Sequence, residues 1–160
     1  GSRGPSVLLA AWGRCEVGLG RLRARLLVGS AVRFVTANAI SNPNNTRLSS
    51  FQIWDTHFDH FRFYNDTLLP EFDQSLSALI EDLDTRGLLS ETLVIVMGEM
   101  GRTPWVKDNG GRDHWTQCGF ILMTGGGVKK GFVHGISDNH AAWPIDSPVP
   151  YTHLTPPTKA

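Results

Sequence analysis

The run Leu93-Val-Ile-Val-Met97 is unbroken by any polar residue and stops at Gly98-Glu99-Met100-Gly101-Arg102. Bounded by polar and glycine positions, it reads as a strand buried on both faces, the pattern of a mostly parallel sheet flanked by helices. In an open α/β sheet, ligands sit at the carboxyl ends of central strands. Glu99 stands at that end on a glycine-flanked turn, with Arg102, Asp113 and His114 close behind in sequence. A carboxylate, a guanidinium and an imidazole there read in one of two ways. Either they form a polar site, or Glu99 and Arg102 are an ion pair that caps the sheet.

The chain has 160 residues, 41% hydrophobic and 19% charged, which suits one globular domain with a real core. Its formal net charge is zero with six histidines counted neutral, so nothing in the balance asks for nucleic acid or an anionic membrane. The apolar runs are far short of a membrane span. Cys15 and Cys118 are the two cysteines, too few for a disulfide framework or a thiolate metal site.

Residues 1–20 are rich in Gly and Arg without clear period and read as irregular, with 21–149 as the domain and 150–160 as a disordered or foreign tail. Gly20 to Gly29 sets Leu22, Leu26 and Leu27 against Arg21, Arg23 and Arg25, an amphipathic helix with a solvated arginine face. Val32–Ala37 reads as a first strand, residues 38–50 as a polar loop, and Phe51–Trp54 as a short apolar segment. From Phe58 to Arg86 the period is helical, with Leu68, Leu69, Phe72, Leu76, Leu79, Ile80 and Leu83 on one stripe. Pro70 predicts two helices or a kink, and Gly87 an end. Glu71, Asp73, Glu81, Asp82 and Asp84 read as a solvated face. Gly119–Thr124 reads as a third strand, Gly131–Ile136 as an edge strand and Ser137–Pro144 as a loop. Strand, helix, strand in this order argues α/β with a parallel pair joined by a right-handed crossover.

Asp55-x-His57 is the second candidate site. In extended backbone both side chains fall on one side. A carboxylate plus imidazole is a ligand set for Zn²⁺, Mn²⁺ or Fe, whereas Mg²⁺ or Ca²⁺ prefers more oxygens. Asp55, His57, Glu99 and His114 together offer two oxygens and two nitrogens to one divalent metal or to part of a binuclear pair. Asp59, His60 and Asp113 stand in reserve. Such a metal polarises an ester oxygen or lowers the pKa of a bound water, and Arg102, with Arg112, would neutralise an anionic ester. No Ser or Thr stands out as a nucleophile; Thr56 and Thr103 only lie near the motifs. His134 and His140 read as surface residues. Asp55-x-His57-x-Asp59-His60 is also similar to the metal motif of metallo-β-lactamase-like hydrolases.

Val32-Arg-Phe-Val35, Trp54-Asp-Thr-His57, Leu68-Leu-Pro-Glu71, Gly98-Glu-Met-Gly-Arg-Thr-Pro104 and Asn109-Gly-Gly-Arg-Asp-His-Trp115 together resemble the C-terminal part of the DUF1501 family. These are sulfatase-like proteins of the alkaline phosphatase-like superfamily. The resemblance implies a partial α/β sandwich and a metal-dependent site acting on sulfate or phosphate esters of a small molecule or polysaccharide. Within it, Glu99 resembles the carboxylate ending the central strand, His114 the downstream metal histidine, and Asp55 and His57 the upstream pair. It further implies that the nucleophile and one more ligand belong to a missing N-terminal half, and that the full-length form is exported. A non-catalytic binding or structural module of the same fold is the alternative.

Overall fold

A computed structural model describes residues 16–39 and 54–146. Residues 1–15 with Cys15, most of the expected polar loop 38–50, the expected apolar segment up to residue 53 and the expected tail with His153 lie outside the described residues. Helix α1 spans Glu16–Gly29, so helix begins earlier than the glycine- and arginine-rich composition suggests. Helix α2 (His60–Phe63) runs through a π-helical turn at Tyr64–Leu68 into helix α3 (Leu69–Thr85). Pro70 stands in the first turn of α3, where a missing N–H costs little. The wider π turn ahead of it absorbs the register change that proline forces. At the far end Gly87 takes φ 72°, Leu88 N–H bonds Leu83 O at 2.9 Å and Gly87 N–H bonds Asp84 O at 2.9 Å. That pair of bonds is a Schellman closure, which needs a left-handed residue and so a glycine.

Helices α1 and α3 pack on each other. The buried stripe of α1 is Gly18, Arg21 and Arg25, while Leu26 and Leu27 are about half exposed. Arg21 and Arg25 thus turn inward, against expectation, while Arg23 stays exposed. The cause lies on α3, which offers acceptors to long cationic side chains. Arg21 Nη1 donates to Phe72 O at 2.9 Å and to Ser75 Oγ, with its guanidinium 4.6 Å from the Phe72 ring centre. Arg25 Nε meets Asp82 Oδ2 at 2.7 Å, and Arg86 reaches the same carboxylate at 2.7 Å. Asp82 therefore leaves the solvated face expected of it. The apolar core lies along the π turn and α3, with Phe63, Leu68, Ala78, Leu83 and Leu89 buried and Trp54 and Tyr64 packed beside them.

The strands overturn the expected parallel sheet. Strands β1 (Val94–Met97) and β4 (Ile121–Thr124) pair antiparallel, Val94 opposite Thr124 and Met97 opposite Ile121. Strands β2 (Gly101–Arg102) and β3 (His114–Trp115) form a second antiparallel pair, and β5 (Ile136–Ser137) with β6 (Pro144–Asp146) a third. No parallel pair and no helix-flanked sheet occurs among the described residues. The physical reason is the connection. A parallel pair needs a crossover, usually a helix, and residues 98–120 instead fold back on themselves through β2 and β3. Val32–Ala37 joins no strand pair among the described residues and is irregular, with Phe34 86% exposed. The run Leu93–Met97 is not buried on both faces either: Leu93, Ile95 and Met97 are 47–49% exposed, and no helix packs on β1 among the described residues. Most of the expected edge strand over 131–136 is irregular, and the expected loop 137–144 closes the β5–β6 pair.

Candidate metal centre

Two segments far apart in sequence, 54–60 and 109–115, lie side by side. Asp59 N–H bonds Asn109 O at 3.1 Å, His60 N–H bonds Gly110 O at 2.9 Å, and Arg112 N–H bonds Thr56 O at 3.3 Å. The approach is close enough that a Cβ on Gly111 would fall 1.8 Å from His57 O, so the position admits only glycine. Beyond it, Asp113 is clamped to Thr103: Thr103 N–H bonds Asp113 O at 3.0 Å and Asp113 N–H bonds Thr103 Oγ1 at 3.2 Å. The β2–β3 register then sets Arg102 opposite His114, on one face of the ribbon.

That face points at Asp55. Its Oδ1 lies 2.8 Å from His114 Nε2, 2.7 Å from Arg102 Nη2 and 3.0 Å from His57 Nε2. The imidazole centres of His57 and His114 are 5.0 Å apart. The hydrogen bond from His114 pulls the Asp55 carboxyl down to about 2. Partial burial opposes this, while the bond and charge of Arg102 and the charge of His57 add to it. On its other side His57 Nδ1 meets Asp113 Oδ1 at 2.8 Å, and Lys107 Nζ reaches that same oxygen at 2.6 Å. These two contacts, Lys107 first, lower the Asp113 pKa. An imidazole that donates Nδ1–H to a carboxylate presents Nε2 as the free ligand nitrogen.

Asp55, His57 and His114 each offer one ligand atom, all within 4.8 Å of one another. One oxygen and two nitrogens, with a carboxylate behind one imidazole, fit a zinc-type cation that keeps a coordination position open. The structure therefore brings together Asp55, His57, His114 and Arg102. Glu99 sits exposed on the β1–β2 turn, and the set of ligand atoms within 4.8 Å of one another comprises Asp55, His57 and His114. Arg112 turns away, its guanidinium 5.2 Å over the Phe61 ring. His60 is buried, bonded to Thr56 Oγ1 at 2.6 Å and stacked 4.2 Å from Tyr64; burial, then the charges of Arg112 and Arg102, lower its pKa. Thr56 and Thr103 are both buried and serve as internal hydrogen-bond partners. One member lies outside the sequence pattern: Asp113 stands beside His114 in the motif and in reserve as a ligand, whereas Lys107 carries no signal at all.

Helices, short antiparallel strand pairs and a carboxylate–imidazole cluster at a ribbon face define the class: a chain of helices and antiparallel strand pairs with a candidate metal centre. The sequence profile of the family described as "Protein of unknown function (DUF1501)" matches residues 6–156, and the chain belongs to that family. No curated protein and no solved structure matches it.

Proposed function

We propose that the chain carries a divalent-metal centre serving hydrolysis of an anionic ester, sulfate or phosphate. The observation that carries the reading is the convergence of Asp55, His57 and His114 with the Arg102 guanidinium 2.7 Å from Asp55. Two nitrogen ligands favour Zn, Mn or Fe over Mg or Ca. When bound, the metal supplies Lewis acidity toward an ester oxygen or a bound water. The chain's own residues do the rest. Asp113 holds the His57 ring, Asp55 stays ionised as an anionic ligand, and the Arg102 guanidinium, held by Asp55, Trp54 O and Arg112 O, adds positive charge beside an ester anion. The sulfatase-like affinity rests on the motif resemblance alone and is fold-level analogy.

A second reading is favoured by the same contacts. The Arg102–Asp55 and Lys107–Asp113 pairs already neutralise both carboxylates, so the cluster serves equally as a structural ion-pair network. Elemental analysis separates the two, combined with zinc titration of wild type, Asp55→Asn and His114→Ala and with hydrolysis of p-nitrophenyl sulfate and phosphate. Stoichiometric metal that both variants lose supports the metal centre. Metal-free protein with a melt indifferent to EDTA leaves the structural network.

A further inference from the structure

A second feature lies on the opposite side of the β2–β3 ribbon from the cluster. Successive strand residues face opposite ways, so Trp115 points away from the side that His114 occupies. Trp105 and Trp143 stand against it, with ring centres 5.0 and 5.8 Å from that of Trp115 and planes inclined at 77° and 78°. The central indole is partly buried, whereas Trp105 is 54% and Trp143 52% exposed.

These exposed rings ride on fixed backbone. The Trp115 indole N–H donates to Ala142 O at 2.7 Å. Asp138 N–H bonds Trp143 O at 2.9 Å, and Asp138 Oδ1 accepts from Ala142 N–H at 2.8 Å and His140 N–H at 3.1 Å. Trp105 is tied through its carbonyl to the buried Thr103 hydroxyl at 2.9 Å. Large apolar rings held rigid at the surface lose little entropy on binding, which makes them anchors rather than loose exposed side chains.

We infer that Trp105, Trp115 and Trp143 form a stacking platform for the sugar rings of a glycan chain. The apolar C–H face of a pyranose matches an indole face, and its hydroxyls need nearby donors and acceptors. The same two loops supply those as exposed Asp108, Asn139 and His140. A lipid surface is the poorer match, because anionic headgroups call for basic residues. The single Lys or Arg in loops 103–110 and 138–143 is Lys107, and it is committed to Asp113. The platform stands independently of the proposed metal centre.

Native electrophoresis of the chain through gels containing xylan, laminarin or ι-carrageenan tests this. Retardation is expected in at least one gel, about tenfold weaker affinity for Trp105→Ala and for Trp143→Ala, and no change with EDTA or in Asp55→Asn. A wild-type measurement needs no variant: the retarding glycan should protect two or more tryptophans from N-bromosuccinimide oxidation. Three outcomes overturn the inference: no retardation in any gel, retardation unaltered in the double variant without such protection, or tryptophan-dependent self-association or vesicle binding in place of glycan binding. Wild-type protein that holds metal but is retarded in no gel would count against the platform alone.

Discussion

His57 touches a carboxylate with each ring nitrogen, Asp55 at Nε2 and Asp113 at Nδ1. The two contacts do different work. Asp55 shares the place where a cation would sit, and Asp113 fixes which way the ring faces. Asp113→Asn should therefore leave the fold intact and weaken zinc binding about 10- to 100-fold, read by calorimetric titration with the melt as control. Asp55→Asn should remove zinc binding altogether; retained affinity there would mean that the three residues are not the ligand set. Gly111 is the most demanding position of the centre. With His57 O 1.8 Å from a would-be Cβ, Gly111→Ala must push the 109–113 segment off 56–60. A loss of more than about 2 kcal/mol in urea unfolding is expected, together with metal binding.

At the scale of elements, the α1–α3 pair shows how a partner reverses a helix face. Read alone, α1 presents leucines for burial; against α3, its arginines find Phe72 O, Ser75 and Asp82. The core itself is narrow. Leu83 is 1% exposed on α3, so Leu83→Ala should cost about 2–5 kcal/mol, measurable as a fall in the urea midpoint at constant slope. The loop 138–143 depends on one carboxylate. Backbone N–H bonds, chiefly from Ala142 and then from His140 and Trp143, hold the Asp138 pKa below its ordinary value. A carboxyl depressed in the folded state contributes order that is complete above its unfolded pKa, about 3.9. That order is lost as pH falls through the lower folded value. The contribution of Asp138 to tryptophan emission should thus stay constant from pH 7 to about 4 and change only in more acid solution. Asp138→Asn should make the acid shift smaller than in wild type, leaving the steps of Asp55 and Asp113.

For the whole molecule, the decisive fact is where apolar surface goes. The β1–β4 pair leaves Leu93, Ile95, Met97, Leu122 and Met123 between 41% and 49% exposed. Ile95→Thr should then cost under about 1 kcal/mol, whereas a strand buried on both faces would lose several times more; the comparison with Leu83→Ala in one denaturation series checks it. The long helix ahead of Gly87, the strand character of 94–97 and 121–124, and the candidate residues Asp55, His57, Arg102 and His114 were legible from periodicity, punctuation and residue chemistry. These signals are local, set by side-chain period and by what each residue can bond. The direction of strand pairing, the inward turn of Arg21 and Arg25 and the arrival of Lys107 at Asp113 were not. Each depends on what lies across from a residue rather than beside it along the chain. Period alone says which side chains share a face, and only tertiary packing supplies the surface that the face meets.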